Sequence, residues 1–162
     1  LPDALFWDTG GPVYRRADFD DPADVKIVRE LLEEIQPDLI FVAGDLSDPH
    51  GTHRMCKEAI DLALAEVAAA GGKVPETWLY RGAWQEWPIT EATYLVPMSQ
   101  EELKVKIQAI FKHQSQKDSA PFPGHDEREF WQRVESRNKD TAAMLDRLGL
   151  AEYFAMEAYV VE

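Results

Sequence analysis

Leu39-Ile40-Phe41-Val42-Ala43-Gly44 is a short, unbroken apolar run, and the chain turns polar directly after it, at Asp45-Leu46-Ser47-Asp48-Pro49-His50-Gly51-Thr52-His53. An apolar run of this length without alternation reads as a strand buried on both faces, as in a parallel sheet. A strand of that kind reaches a parallel neighbour only through a crossover, usually a helix. The flanking sequence provides helices on both sides. Asp20-Asp21-Pro22 opens one that runs to about Gln36, with Val25, Val28, Leu31, Leu32 and Ile35 on one face and Pro37 as its stop. A second is expected from about His53 to Ala70, with Thr52 as N-cap, Met55, Ile60, Leu64 and Val67 on its buried side, and Gly71-Gly72 as its stop.

Further on, Thr77–Arg81 and Thr93–Val96 are short candidate strands, separated by an aromatic loop that carries Trp84 and Trp87. Ser99, with Glu102 three residues on, is a capping box that opens a helix over about 100–114. A loop with Pro121, Pro123 and Gly124 leads to a long helix over roughly 126–148, and Tyr153–Val161 alternates well enough for a final strand. The expected fold is α/β, a Rossmann-like layered domain with a mostly parallel sheet, spanning 1–162 as a single domain. Doubly wound domains ordinarily begin with a strand and a ligand-binding turn. Residues 1–16 read as an irregular segment before a helix, so the expectation is the C-terminal part of a longer protein that lacks its N-terminal strands.

Composition narrows the partners. A formal net charge of -13 argues against nucleic acid and anionic membrane, both of which need a basic surface. It leaves room for an anionic small molecule in a local basic pocket. The single cysteine, Cys56, cannot form an internal disulfide, which fits a cytoplasmic location. No apolar run approaches the roughly 20 residues that span a bilayer.

In open α/β sheets ligands bind beyond the carboxyl ends of the strands, which is where His50 and His53 fall. His53 is expected in the first turn of the second helix, where the positive end of the dipole disfavours imidazolium and leaves the neutral, metal-binding ring. Asp45 and Asp48 stand close enough in sequence to orient an imidazole through its other nitrogen. A bare His-x-x-His fits a solvated loop equally well, and a catalytic zinc site normally uses three protein ligands, of which this loop offers one or two. Other residues also carry two readings. Trp84 and Trp87 either stack on a sugar or pack a loop. Arg54 and Arg81 either bind an anion bidentately or pair at the surface. His113, Ser115 and Gln116 either line the crevice or cap a helix end. His125-Asp126-Glu127 reads as the start of the last helix rather than a metal cluster.

These residues resemble a known family. Pro37-Asp38-Leu39-Ile40-Phe41-Val42 followed by Asp48-Pro49-His50-Gly51-Thr52-His53-Arg54 is similar to the second metal motif of the LmbE-like (PIG-L type) de-N-acetylases, usually His-Pro-Asp-His. Lys112-His113-Gln114-Ser115-Gln116 and the closing Ala155-Met156-Glu157-Ala158-Tyr159 resemble later segments of that family. Trp78-Leu79-Tyr80-Arg81-Gly82-Ala83-Trp84-Gln85-Glu86-Trp87-Pro88 is similar to the C-terminal, LmbE-like half of long bacterial proteins of the glucosamine-6-phosphate deaminase or isomerase type. The resemblance implies a zinc-dependent hydrolase acting on an N-acetylated amino sugar. It makes His53 a zinc ligand and His50 the histidine that assists the intermediate or leaving group, and it places His113 and Gln116 along the crevice. Asp45 and Asp48 as supports of an imidazole, and Arg54 and Trp84 as substrate contacts, are expectations from the residues themselves. The family's other ligands and its aspartate base belong to a His-Pro-Asp-Asp motif that this sequence does not contain, so the chain alone is expected to be inactive. Gly51-Thr52 also stands in place of the usual Pro-Asp, which opens the alternative of a non-catalytic domain serving oligomerisation or regulation of an attached deaminase domain. An unpaired strand edge in such a chain would favour a homo-oligomer.

Overall fold

A computed structural model of the chain describes residues 22–44, 51–81, 86–113, 128–150 and 152–162. Two compact units divide it: residues 1–79 with Glu162, and residues 80–161.

In the first unit, Pro22 occupies the first position of α1 (Pro22–Ile35), where its fixed φ is helical and its missing N–H costs nothing. The helix ends as Gln36 turns left-handed (φ 47°) with its N–H still donating to the Leu32 carbonyl at 2.9 Å, and Pro37 forbids a further turn. β1 (Leu39–Ala43) follows, then α2 (Thr52–Ala69) and β2 (Glu76–Tyr80), which reaches the boundary between the units. The Glu76 N–H donates to the Asp38 carbonyl at 3.0 Å, aligning the beginnings of β1 and β2 as a parallel crossover requires. α2 stops at Gly71-Gly72, as expected. Gly71 is left-handed (φ 73°), its N–H donates to the Ala68 carbonyl, and the Gly72 N–H donates to the Val67 carbonyl, which together form a Schellman motif.

Three expectations for this unit are corrected. The residue that caps α2 is Gly51, at φ 69°, with Thr52 already inside the helix; a left-handed cap suits a residue without Cβ. The fully buried stripe of α2 is Ala59, Ala63 and Val67, while Met55, Ile60 and Leu64 are half-buried. α2 packs against α1 and also touches β1. β1 is not buried on both faces: Val42 is buried, but Phe41 is 59% exposed, its ring edge-on to Trp78 with centroids 5.9 Å apart. Successive strand residues point to opposite faces, so Val42 and Phe41 meet different surroundings, and only the Val42 face is covered among the described residues. Similarly, Leu31 and Ile35 of α1 face outward, 50% and 66% exposed.

The second unit holds β3 (Tyr94–Met98), α3 (Gln100–Ile110), α4 (Phe130–Arg147) and β4 (Ala155–Val161). β3 pairs antiparallel with β4, from Tyr94 opposite Tyr159 to Met98 opposite Ala155, and continues through Pro97 rather than stopping before it. The capping box that opens α3 forms as read: the Glu102 N–H donates to Ser99 Oγ (3.2 Å) and the Ser99 N–H to the Glu102 carboxylate (2.7 Å). α3 is shorter than expected, unwinding at Phe111 to His113 through turn hydrogen bonds. α4 begins at Phe130 behind a second reciprocal box, Glu129 with Gln132, and ends on left-handed Gly149. Ala142 and Leu145 of α4 pack on Met156 of β4, with Ile89 and Leu95 against them.

Replacing Ser99 with Ala removes one of the two reciprocal bonds that start α3. The expected loss is about 1 kcal/mol, visible as a lower urea midpoint at unchanged slope.

Candidate functional site

His53 lies in the first turn of α2, half-buried, where the left-handed turn at Gly51 sets the direction in which the helix leaves β1. Its Nδ1 is buried and has no hydrogen-bond partner among the described residues. A buried ring nitrogen left unpaired costs about 1–3 kcal/mol, so the position favours a partner: an acceptor if Nδ1 carries the proton, a donor or a cation if Nε2 does. One turn on, on the same face, Lys57 is held by Asp61 (2.9 Å) and Glu162 (3.2 Å). Burial alone would lower its pKa, but the two carboxylates outweigh burial and raise it, so the ammonium stays charged. Arg54 is exposed, with its guanidinium folded back over Gly51, where a Cβ would meet Nη2 at 3.1 Å. His50, Asp45 and Asp48 lie outside the described residues. Among the described residues no three His, Cys, Asp or Glu side chains gather to hold a metal. His53 by itself therefore offers one donor.

The second unit contains a cleft that the sequence reading did not assemble. It has a volume of about 760 Å³ between residues 86–90 and one face of α4. Trp87, singled out in the sequence, lines it, and the Arg81 guanidinium sits 4.6 Å from the Trp87 ring centroid. Trp84 and Gln116 lie outside the described residues, as does His125-Asp126-Glu127. His113 is exposed just past the end of α3, its N–H donating to the Ile110 carbonyl.

The inner wall of the cleft is a buried polar network. Glu86 and Arg137 form an ion pair at 3.3 Å, with side chains only 10% and 14% exposed. The Trp87 N–H donates to the same carboxylate at 3.1 Å. Asn138, fully buried, donates through Nδ2 to the Met156 carbonyl (3.1 Å) and reaches Glu86 at 3.4 Å, while its Oδ1 accepts from Lys106 (3.1 Å). Lys106 also pairs with Glu157 at 2.7 Å. Burial raises the pKa of Glu86 more than Arg137 and the Trp87 amide lower it. Burial, then the carboxylates of Glu157 and Glu86, push the Tyr159 phenol up, so it remains protonated. The signal that could have found this cleft is in the sequence: Arg133, Ser136, Arg137, Asp140, Thr141, Met144 and Arg147 recur at spacings of three and four and share one helix face.

No family model matches the chain. Its sequence is 57% identical over 141 residues to a glucosamine-6-phosphate deaminase-like protein of Bacteroides thetaiotaomicron. The match takes in 85% of this chain and 21% of that protein, so the chain spans about a fifth of the length of its curated relative. Among solved structures, its fold is similar to that of a conserved protein from Thermus thermophilus, with a TM-score of 0.63 at 18% identity over 87% of this chain and 59% of that one. The mixed α/β fold is therefore one found in solved proteins, as expected from a Rossmann-like layered arrangement. Among the described residues no helix is long and apolar enough to cross a membrane.

The raised pKa of Glu86 has a consequence for stability. A carboxyl whose pKa is higher folded than unfolded supports the fold fully below the unfolded value of 4.5, and that support is lost as pH rises through the folded value. In Glu86→Gln, stability should decline less than in wild type as pH rises from 4.5 toward neutrality, as measured by urea midpoints across that range.

Proposed function

We propose that this chain is a module of an amino-sugar-processing protein of the glucosamine-6-phosphate deaminase-like type, and that the loop carrying His50 and His53 serves zinc-dependent removal of an N-acetyl group from a glucosamine-type substrate. The observation that carries this is the buried Nδ1 of His53, which has no hydrogen-bond partner among the described residues, in the first turn of the helix that follows β1. The name of the 57% identical relative supports the amino-sugar setting. The resemblance of residues 37–54 to LmbE-like de-N-acetylases supports the reaction.

In this reading His53 holds the metal through a ring nitrogen, and the remaining ligands and the aspartate base come from the His-Pro-Asp-Asp motif that this sequence lacks. Zinc, when bound, supplies Lewis acidity and a water acidic enough to ionise near neutral pH. His50 carries a proton, first as hydrogen-bond donor to the carbonyl oxygen of the acetyl group, then as acid to the departing amine.

A second reading, a non-catalytic domain that assembles or regulates an attached deaminase, has one observation in its favour. Gly51 adopts φ 69°, which proline, locked near −65°, cannot. The loop therefore follows a path that a His-Pro-Asp-His motif could not take. Metal analysis of the intact protein separates the two. Wild type should retain zinc through dialysis and release acetate from an N-acetylglucosamine derivative, and His53→Ala should lose both. Equal zinc in the two proteins would eliminate the assignment of His53.

A further inference from the structure

We infer that the exposed face of α4 docks on the same face of a second copy of this chain, with the two helices antiparallel about an axis at Ala143 and Met144. This inference rests on the second unit alone and is independent of the histidine loop.

Charge is the first argument. Asp140 and Arg147 stand one heptad apart, two helical turns less about 20°, so they leave the same side of α4 about 10 Å apart along its axis. Both line the cleft. Asp140 is exposed and accepts a hydrogen bond from Ser136 at 3.1 Å, which leaves acceptor positions on its carboxylate open. Arg147 is exposed and has no partner among the described residues. The other arginines of the lining are engaged within the chain: Arg137 pairs with Glu86, Arg133 donates to the Arg128 carbonyl, and both Arg128 and Arg133 hold further interactions. Asp140 and Arg147 are therefore the charges this face offers to a neighbour. A surface with an acid at one end and a base at the other is its own complement, because a two-fold contact brings residue i of one copy to residue j of the other and j to i. With the helices antiparallel, each Asp140 meets the Arg147 of the other copy. That makes two identical guanidinium–carboxylate pairs, a match that admits two parallel hydrogen bonds in each. Parallel helices would set acid on acid and base on base, so charge selects the antiparallel arrangement.

The second argument is what lies between those charges. Ala143 and Met144 are midway, and both are exposed. Met144 is 45% exposed and Leu148 67%, more than packing within the unit requires. At the axis a small residue stands beside a long one, so two backbones can approach while each Met144 crosses to the other copy, and its flexible thioether adapts to the space it finds. The cleft supplies that space. Its volume is about 760 Å³, with Trp87 and Ile89 on the wall across from α4. An apolar centre flanked by charged pairs is the usual anatomy of a protein interface. The net charge of -13 does not prevent contact here. The cleft lining carries two carboxylates, Glu86 and Asp140, and Glu86 is already paired with Arg137, so the acidic excess lies on other surfaces.

The test is sedimentation equilibrium of the intact protein and its charge variants. Wild type should be a dimer or a larger even-numbered assembly. Asp140→Arg places base against base, and Arg147→Asp places acid against acid, so each should halve the wild-type mass. Mixed in equal amounts, the two variants should recover that mass, because each supplies the charge that the other lacks. Recovery on mixing requires contact between chains at these two positions and cannot come from misfolded protein. If a reversal fails to fold, Met144→Lys serves in its place, since it sets two ammonium groups at the axis and should also halve the mass. The inference is overturned if wild type stays monomeric up to about 100 μM, which would assign the face to a different partner. It is overturned equally if the single variants keep the wild-type mass, or if mixing them fails to restore it.

Discussion

The second unit is organised around the side-chain amide of Asn138. It is wholly buried, and a buried amide is tolerable only when its donors and acceptor are met. One donor reaches the Met156 carbonyl on β4, and the acceptor takes a hydrogen bond from Lys106 on α3, so a single side chain ties α4 to a strand and to another helix. It also sets the rotation of α4. With Val134, Asn138, Thr141, Ala142 and Leu145 turned inward, the intervening positions of Arg133, Asp140, Met144 and Arg147 must turn toward the cleft. The charged wall is thus a geometric result of how the helix is anchored. Lys106, Glu157, Glu86 and Arg137 extend this network through two further ion pairs.

The first unit depends on close approach rather than on polar satisfaction. Ala59 and Ala63 present almost no side chain, so α2 can lie near its neighbours, and the direction it takes is set at Gly51. Gly51 offers no side chain to cap that end of the helix, and the first turn has no acidic residue. The placement of His53 therefore follows from one backbone conformation that glycine adopts without penalty, reinforced by the Arg54 side chain lying over it.

Much of this was legible from residue order. The element sequence, the parallel crossover from β1 to β2, the Ser99 capping box and the glycine stop of α2 follow from local rules that operate within a few residues. The discrepancies arise where the deciding partner is remote. Phe41 and Ile35 look like core in a list of apolar residues, but burial depends on which face the fold covers, and both lie largely exposed among the described residues. Thr52 is a good N-cap in isolation and was displaced by a glycine whose left-handed turn starts the helix one residue sooner. The cleft went unread because arginines spaced along a helix ordinarily mean a solvated surface. Only the packing of residues 86–90 beside them makes a concavity. Of the site residues read from the sequence, His53, Arg54, Arg81, Trp87 and His113 fall among those the structure describes.

Pro97 sits within β3, opposite Met156, at the margin of its sheet. A proline there leaves a gap in the row of amide donors, so a foreign segment could not zip continuously along that side. That border of the molecule is guarded by the omission of a single hydrogen.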